Sequence, residues 1–222
     1  MASPPPYDFK TAPHAKPSFP SQSEKPQQSS SSRAPSYQPQ QPPPPSVQEP
    51  RLLHIYLDGL THRHLTIRDS DKRTPLYTVS ANSGSIFSSK PHMRIFRGSA
   101  QTTPIGTADF HNYSRTVDLT IQGRPVSMDA SGLFTRSHVF QSSIGPLQWE
   151  GDGIFSNDLV LVNERKEWLA KFHNSAFAMG KEGKLEISNG EITGVFLDEI
   201  VVSGLAMIEH QRRRRNNNVS SA

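Results

Sequence analysis

Asp198-Glu199-Ile200-Val201-Val202-Ser203-Gly204-Leu205-Ala206-Met207-Ile208-Glu209-His210-Gln211 runs directly into Arg212-Arg213-Arg214-Arg215, close to the end of the 222-residue chain. Wrapped on a helix, the apolar residues of 200–208 cover nearly the whole circumference rather than one stripe. A helix that is apolar all round is surrounded by protein or by lipid. A bilayer needs about 20 apolar residues, far more than this run supplies, so protein is the answer. Asp198 reads as an N-cap, Glu199 suits the positive end of the helix dipole, and the arginines suit its negative end. The helix is predicted over about 199–213, a length of about 22 Å. A seven-residue strand covers about 23 Å, so the segment reads as the plug of a closed barrel. Ser203-Gly204 costs about 1 kcal/mol of helix propensity, which is tolerable where a barrel wall approaches closely.

Upstream of this helix the chain reads mostly as strands. Leu53, Ile55 and Leu57 alternate with His54 and Tyr56 before a turn at Asp58-Gly59. His64 to Arg68 follows, then the polar turn Asp69-Ser70-Asp71-Lys72. Further strands are predicted at Leu76–Val79, Met93–Phe96, Gly106–Phe110, Thr116–Ile121, Leu133–Phe140, Leu147–Trp149, Leu159–Val162, Trp168–Phe172 and Leu185–Ile187. About eleven short strands with turn chemistry between them suit a sandwich or a barrel. A lipocalin-like carrier is the competing barrel, and the two differ in what fills the lumen.

The first 50 residues differ in kind. They hold 14 of the 19 prolines, with 10 serines and 7 glutamines, and no Leu, Ile or Trp. Such a segment cannot offset the entropy cost of folding, so residues 1–50 are predicted to be a disordered Pro/Ser/Gln-rich arm. The folded part is predicted over 51–215 and a disordered tail over 216–222. The chain contains no cysteine, which excludes disulfides, thiolate zinc sites, cysteine nucleophiles and palmitoylation. No apolar run is long enough to span a membrane, and the N-terminus lacks the apolar region of a signal peptide. A cytoplasmic protein is expected, with nuclear entry or peripheral membrane association compatible with the basic block.

Residues 51–222 carry 20 Lys/Arg against 17 Asp/Glu, and without Arg212–Arg215 the balance falls to −1. A broadly basic nucleic-acid-binding face would leave a surplus, so nucleic acid is not the expected partner.

Many short strands followed by a last apolar helix, beginning Leu197-Asp198-Glu199 and running through Val202-Ser203-Gly204-Leu205-Ala206, resemble the tubby C-terminal-like superfamily. That group comprises tubby proteins, phospholipid scramblases and LURP-one-related proteins, and the chain is most similar to its fungal members over about 51–215. The resemblance implies a mainly β fold: a closed antiparallel barrel of about twelve strands around a buried C-terminal helix. The chain departs from scramblases in lacking the palmitoylated cysteines, an acidic calcium segment and the apolar extension of the last helix. Tubby-type domains bind phosphoinositides through exposed Lys and Arg. The densest basic stretch here is Arg63, Arg68, Lys72, Arg73, Lys90, Arg94 and Arg97, and these are the candidates for an anionic lipid head group. Phosphate recognition needs several convergent cations, because one alone is well solvated. A mixed-charge barrel surface is the competing reading.

Enzyme signatures are thin, and no enzyme is predicted. Gly180-Lys181-Glu182-Gly183-Lys184 has Leu185 where a phosphate loop needs Ser or Thr on magnesium. No Gly-x-Ser-x-Gly nucleophile elbow is present. His62 and His64 share a strand face, with Asp58 across a turn, but an imidazole pair needs further ligands. Solvated histidines are the expectation, with no metal and no cofactor. Trp149 and Trp168 read as core or rim packing residues.

Arg212, Arg213, Arg214 and Arg215 complement a helix C-terminus, with a nuclear-import-like tag or an anionic membrane contact as the other readings. In the arm, Pro4-Pro5-Pro6-Tyr7 fits the Pro-Pro-x-Tyr ligand of WW domains, with Pro4, Pro5 and Tyr7 as its docking residues. Pro39-x-x-Pro42 and Pro42-x-x-Pro45 fit the looser SH3 pattern. A non-enzymatic module recognising anionic phospholipid is therefore expected. A scaffold or adaptor acting through WW- or SH3-domain partners is the alternative, and a plain spacer arm the simplest reading.

Overall fold

The computed structural model describes residues 49–58, 64–82, 91–100, 102–111, 114–132, 136–152, 157–174 and 181–219. The twelve strands are β1 (Arg51–Leu57), β2 (His64–Arg68), β3 (Pro75–Ala81), β4 (Met93–Arg97), β5 (Pro104–Phe110), β6 (Val117–Ile121), β7 (Arg124–Ala130), β8 (His138–Ser142), β9 (Gly145–Gly151), β10 (Leu159–Asn163), β11 (Trp168–Asn174) and β12 (Lys181–Ile187), followed by helix α1 (Gly194–Val219). Each strand pairs antiparallel with its neighbour in sequence, and β1 closes on β12 through Leu53↔Leu185. The result is a closed twelve-strand barrel with no free edge.

The alternation read in the sequence fills the lumen. In β6, Val117, Leu119 and Ile121 are buried while Asp118 is exposed. The inward side chains meet α1, whose residues Ile200, Val201, Val202, Ala206 and Met207 are fully buried. Gly106 of β5 lies so close to the helix that a Cβ there would stand 2.5 Å from Val202 Cγ2. A Cβ on Gly204 would stand 3.0 Å from the ring of Trp149. The helix propensity given up at Gly204 thus makes room for the largest buried side chain. Trp149 is fully buried and its indole N–H donates to Ser203 Oγ at 3.0 Å. Trp168, by contrast, sits at the surface with the Lys171 ammonium over its ring.

Three readings change. Strand β7 has no counterpart among the strands expected from the sequence. Pro125 faces outward opposite Thr120, while Val126 and Met128 face inward. The helix begins at Gly194, so Asp198 lies inside it and is no N-cap. Its carboxylate is engaged by side chains of the barrel instead. The helix also runs on through Asn216 to Val219, into the stretch expected to be a disordered tail. No glycine or proline follows Arg215 to stop it, and asparagine only mildly disfavours a helix interior. Among the described residues, no helix is long and apolar enough to cross a membrane.

At 26 residues the helix is about 39 Å long, against about 23 Å for the longest strands. It is buried from Leu197 through His210, apart from a partly exposed Ile208, and exposed from Arg214 through Asn216. The basic block therefore emerges at one mouth of the barrel.

Candidate functional site

The two mouths carry different electrostatics. At the mouth where α1 starts, Asp198 and Glu199 are buried and held by side chains from several strands and turns. Asp198 accepts from Tyr77 Oη at 2.9 Å, from Gln122 Nε2 at 2.6 Å and from an Arg97 guanidinium N–H. Burial, then the adjacent Asp198 charge, pushes the Tyr77 hydroxyl well above the usual tyrosine value, so it remains a donor. Gln122 reaches Asp198 from a two-residue hairpin turn, with φ +50° at Gln122 and +77° at Gly123. Glu199 accepts from Arg124 Nη2 at 2.6 Å and from the Ser143 N–H and hydroxyl. Arg51 pairs with Asp69 at 2.6 Å, and Lys166 with Glu150 at 2.6 Å. Arg51, Arg97, Arg124 and Lys166 thus each pair with a carboxylate.

The basic stretch expected to read a lipid head group is distributed along this arrangement. Arg97 is spent on Asp198. Arg68 lies over the Tyr56 ring and donates to the Lys72 carbonyl at 3.3 Å. Lys72 and Arg73 occupy the β2–β3 turn, where Asp71 takes the Arg73 and Thr74 N–H groups and the Thr74 hydroxyl. Those bonds, led by the Thr74 hydroxyl, hold Asp71 down at about 2. Arg94 is exposed on the outer face of β4. Arg94 and Arg97 thus stand on β4 while Arg68, Lys72 and Arg73 stand at and just after the end of β2, and Arg63 and Lys90 lie outside the described residues. So do His62 and the arm motif Pro4, Pro5 and Tyr7. His64 is exposed, and Asp58 accepts the Thr66 hydroxyl. Among the described residues no group of three or more metal-ligating side chains forms.

The mouth where α1 leaves the barrel is where cations do converge. Glu209 takes both Arg212, at 2.6 Å, and Arg213, at 2.7 Å, on the following turn. Arg213 also lies over the Phe110 ring at 4.6 Å, fastening the helix to the end of β5. His210 stacks on the same Phe110 ring, with centroids 6.4 Å and planes 6° apart. His138, at the start of β8, meets His210 edge-on at 5.0 Å.

Arg214 projects beyond this aromatic layer. Partial burial, then the neighbouring guanidinium groups of Arg115 and Arg136, hold it below the usual arginine value. Arg115, just before β6, donates to the Gly132 carbonyl at 2.9 Å, and Arg136, just before β8, packs its Cδ 3.5 Å from where a Cβ on Gly151 would be. Three cations from three separate segments thus share one mouth, above two buried histidines. Burial, then the surrounding positive charge, pushes His210 down to about 4. His138 is lowered as well, chiefly by burial. Both rings are therefore neutral near neutral pH.

Sequence reasoning singled out Arg214 but not Arg115, Arg136, His138 or His210. Arg115 and Arg136 are isolated in the sequence, so no local charge run marks them. The available signal was topological. Both lie just before strands that run the same way, so in an antiparallel barrel they share the mouth at which a plug starting at the other end must exit.

A family model described as a family of unknown function (DUF6593) matches residues 61–214. No curated protein and no solved structure matches the chain.

Proposed function

We propose that this chain, which belongs to the DUF6593 family of unknown function, is a non-enzymatic binding module that recognises anionic phospholipid head groups. The observation that carries this reading is the convergence of Arg115 and Arg136 on Arg214 at the helix-exit mouth. Guanidinium groups present forked donors that match phosphate oxygens. Several guanidinium groups brought to one mouth attract a polyanion more strongly than one alone. Among the described residues the lumen is filled by α1, which supports binding rather than turnover. The closed barrel around a C-terminal helix is also what the resemblance to the tubby C-terminal-like superfamily implies.

Co-sedimentation with phosphatidylcholine vesicles, with and without phosphatidylinositol bisphosphate, tests this. Binding is expected only with the anionic lipid, to weaken with ionic strength, and to fall in Arg214→Ala. No binding at low salt, or equal binding to both vesicles, contradicts it. An adaptor role through the arm is the second reading, favoured by the match of Pro4-Pro5-Pro6-Tyr7 to WW ligands. Titrating residues 1–15 into WW domains, native against Tyr7→Ala, decides that independently.

A further inference from the structure

Among the described residues three large apolar side chains are exposed: Ile144 at 60%, Val195 at 51% and Trp168 at 36%. All three stand at the mouth where α1 starts. Ile144 is in the β8–β9 turn, Trp168 opens β11 after the β10–β11 turn, and Val195 is the second residue of α1. Strands β8 to β12 are consecutive around the barrel, so these positions are neighbours along one arc of the rim. The β8–β9 turn is held rigidly. The Ser143 N–H donates to the buried Glu199 carboxylate at 2.9 Å, the Ser142 hydroxyl to the Gly145 carbonyl at 2.6 Å, and the Ile144 N–H to Ser142 Oγ at 3.2 Å. A group already fixed loses little entropy on docking. Single exposed apolar residues are ordinary, but three on one arc, with no others among the described residues, mark an interaction surface. We propose that this mouth docks a second copy of the chain, in a two-fold dimer whose helix-exit mouths face away from each other.

Barrel closure and the charges at this mouth select that partner. A barrel with no free strand edge cannot accept an added strand, so association uses an end or a wall. At the helix-start end the Arg97 and Arg124 guanidinium groups are taken by Asp198 and Glu199, which weakens their pull on an anionic surface. The turn beside Trp168 reads Glu164-Arg165-Lys166-Glu167, all exposed, with both signs in one turn. An anionic membrane repels Glu164 and Glu167, and burying them in lipid is costly. A two-fold axis lets the cations of one copy face the carboxylates of the other. The helix-exit end is ill suited to pairing with itself, because each copy brings Arg212–Arg215 against the one carboxylate of Glu209. The size also fits. Twelve strands about 4.8 Å apart and tilted about 40° form a ring about 24 Å across. With side chains, that is an end face on the order of 800 Å² per copy, one partner's share of an ordinary specific interface. Only part of the face is apolar, which places the dissociation constant on the order of 10 µM.

Sedimentation equilibrium of the full chain from about 1 to about 200 µM tests this, with a monomer–dimer equilibrium expected. Ile144→Glu and Val195→Glu change exposed side chains, so thermal midpoints should stay native, while each weakens the dimer by at least about tenfold. Arg94→Glu, on the outer face of β4, should leave it unchanged. The chain has no cysteine, so one introduced thiol takes one spin label. Labels on Glu164→Cys should lie within about 40 Å of each other across facing mouths. Labels on Arg215→Cys should lie much farther apart, because two helices of about 39 Å each stand between them. A monomer throughout the range, a dimer untouched by both glutamate variants, or Arg215 labels closer than Glu164 labels overturns the proposal. So does binding to phosphatidylcholine vesicles that Ile144→Glu abolishes, which would assign this mouth to a lipid surface. The dimer does not depend on the anion-binding reading, but it extends that reading. With basic mouths at opposite ends, the native dimer should tether vesicles containing phosphatidylinositol bisphosphate and raise their turbidity, whereas Ile144→Glu should bind without tethering. Vesicle binding without tethering by the native dimer overturns the opposed orientation. No vesicle binding by a protein that still dimerises overturns the anion-binding reading and leaves the dimer standing.

Discussion

The Tyr77 hydroxyl donates to Asp198 at 2.9 Å across 121 positions of sequence, tying the third strand to the interior of the last helix. Asp198 is fully buried and takes two further donors, from Arg97 and Gln122. A carboxylate so placed sets both the rotation of the helix and its depth in the barrel. Removing one member of a buried charged network leaves the others uncompensated, at about 3–5 kcal/mol. Asp198→Asn should therefore lower stability by about 3 kcal/mol in urea denaturation, and Tyr77→Phe by about 1–2 kcal/mol. A loss below about 1 kcal/mol in Asp198→Asn would show that the network does not hold the helix.

The contact between Gly106 and Val202 makes a second prediction. A Cβ at Gly106 meets both methyl groups of Val202, at 2.5 and 2.9 Å. Gly106→Ala should cost about 1–3 kcal/mol by overpacking. Val202→Ala alone leaves a cavity, yet the double variant should be more stable than the two single losses added together. Simple additivity in a double-mutant cycle would mean that the helix is not seated against β5 as described.

Burial of Val202 also forbids charge at that position. Val202→Asp places a carboxylate at a fully buried site with no partner, a change that should unfold the barrel. Circular dichroism and Trp149 emission report it together, since the indole is buried against Ser203 in the native protein. A folded Val202→Asp protein with native emission would contradict the plugged barrel.

Stability should also follow pH through His210. Its ring is held down at about 4 in the folded chain, whereas a free histidine titrates near 6.5. Between those values the unfolded chain binds a proton that the folded chain does not, so stability rises with pH. The contribution is fully present above about 6.5 and is lost as pH falls toward 4. Without polyanion, the thermal midpoint should fall between pH 7.5 and 5, and His210→Phe should flatten that slope. An identical slope in the variant would remove His210 as its cause.

The plug was readable because an all-round apolar run too short for a membrane has few places to go. Strand alternation was readable wherever inward and outward residues differed in polarity, as at Val117 to Ile121. It failed at β7, where Pro125 masked a strand whose proline faces outward opposite Thr120. The helix start is not legible in the sequence because Asp198 has the chemistry of a cap, and only the fold reveals Tyr77, Arg97 and Gln122 around it. The candidate site was the least readable part. Density of charge along the sequence pointed to residues 63–97, but Arg97 is neutralised by Asp198 while Arg115 and Arg136, 21 residues apart, converge on Arg214. Convergence depends on which strand ends face the same mouth, and that is a property of the closed sheet.

The central claim is that geometry rather than charge count places the binding surface, and two charge-matched variants test it most directly. Arg115→Ala/Arg136→Ala/Arg214→Ala and Lys72→Ala/Arg73→Ala/Arg94→Ala each remove three positive charges, and thermal midpoints establish that both remain folded. Dissociation constants for vesicles containing phosphatidylinositol bisphosphate are then compared with the native protein at one ionic strength. At about 1 kcal/mol per cation near an anionic surface, the first variant should weaken by at least about tenfold and the second by less than about twofold. Equal weakening, or a larger loss in the second variant, would contradict the assignment of the helix-exit mouth.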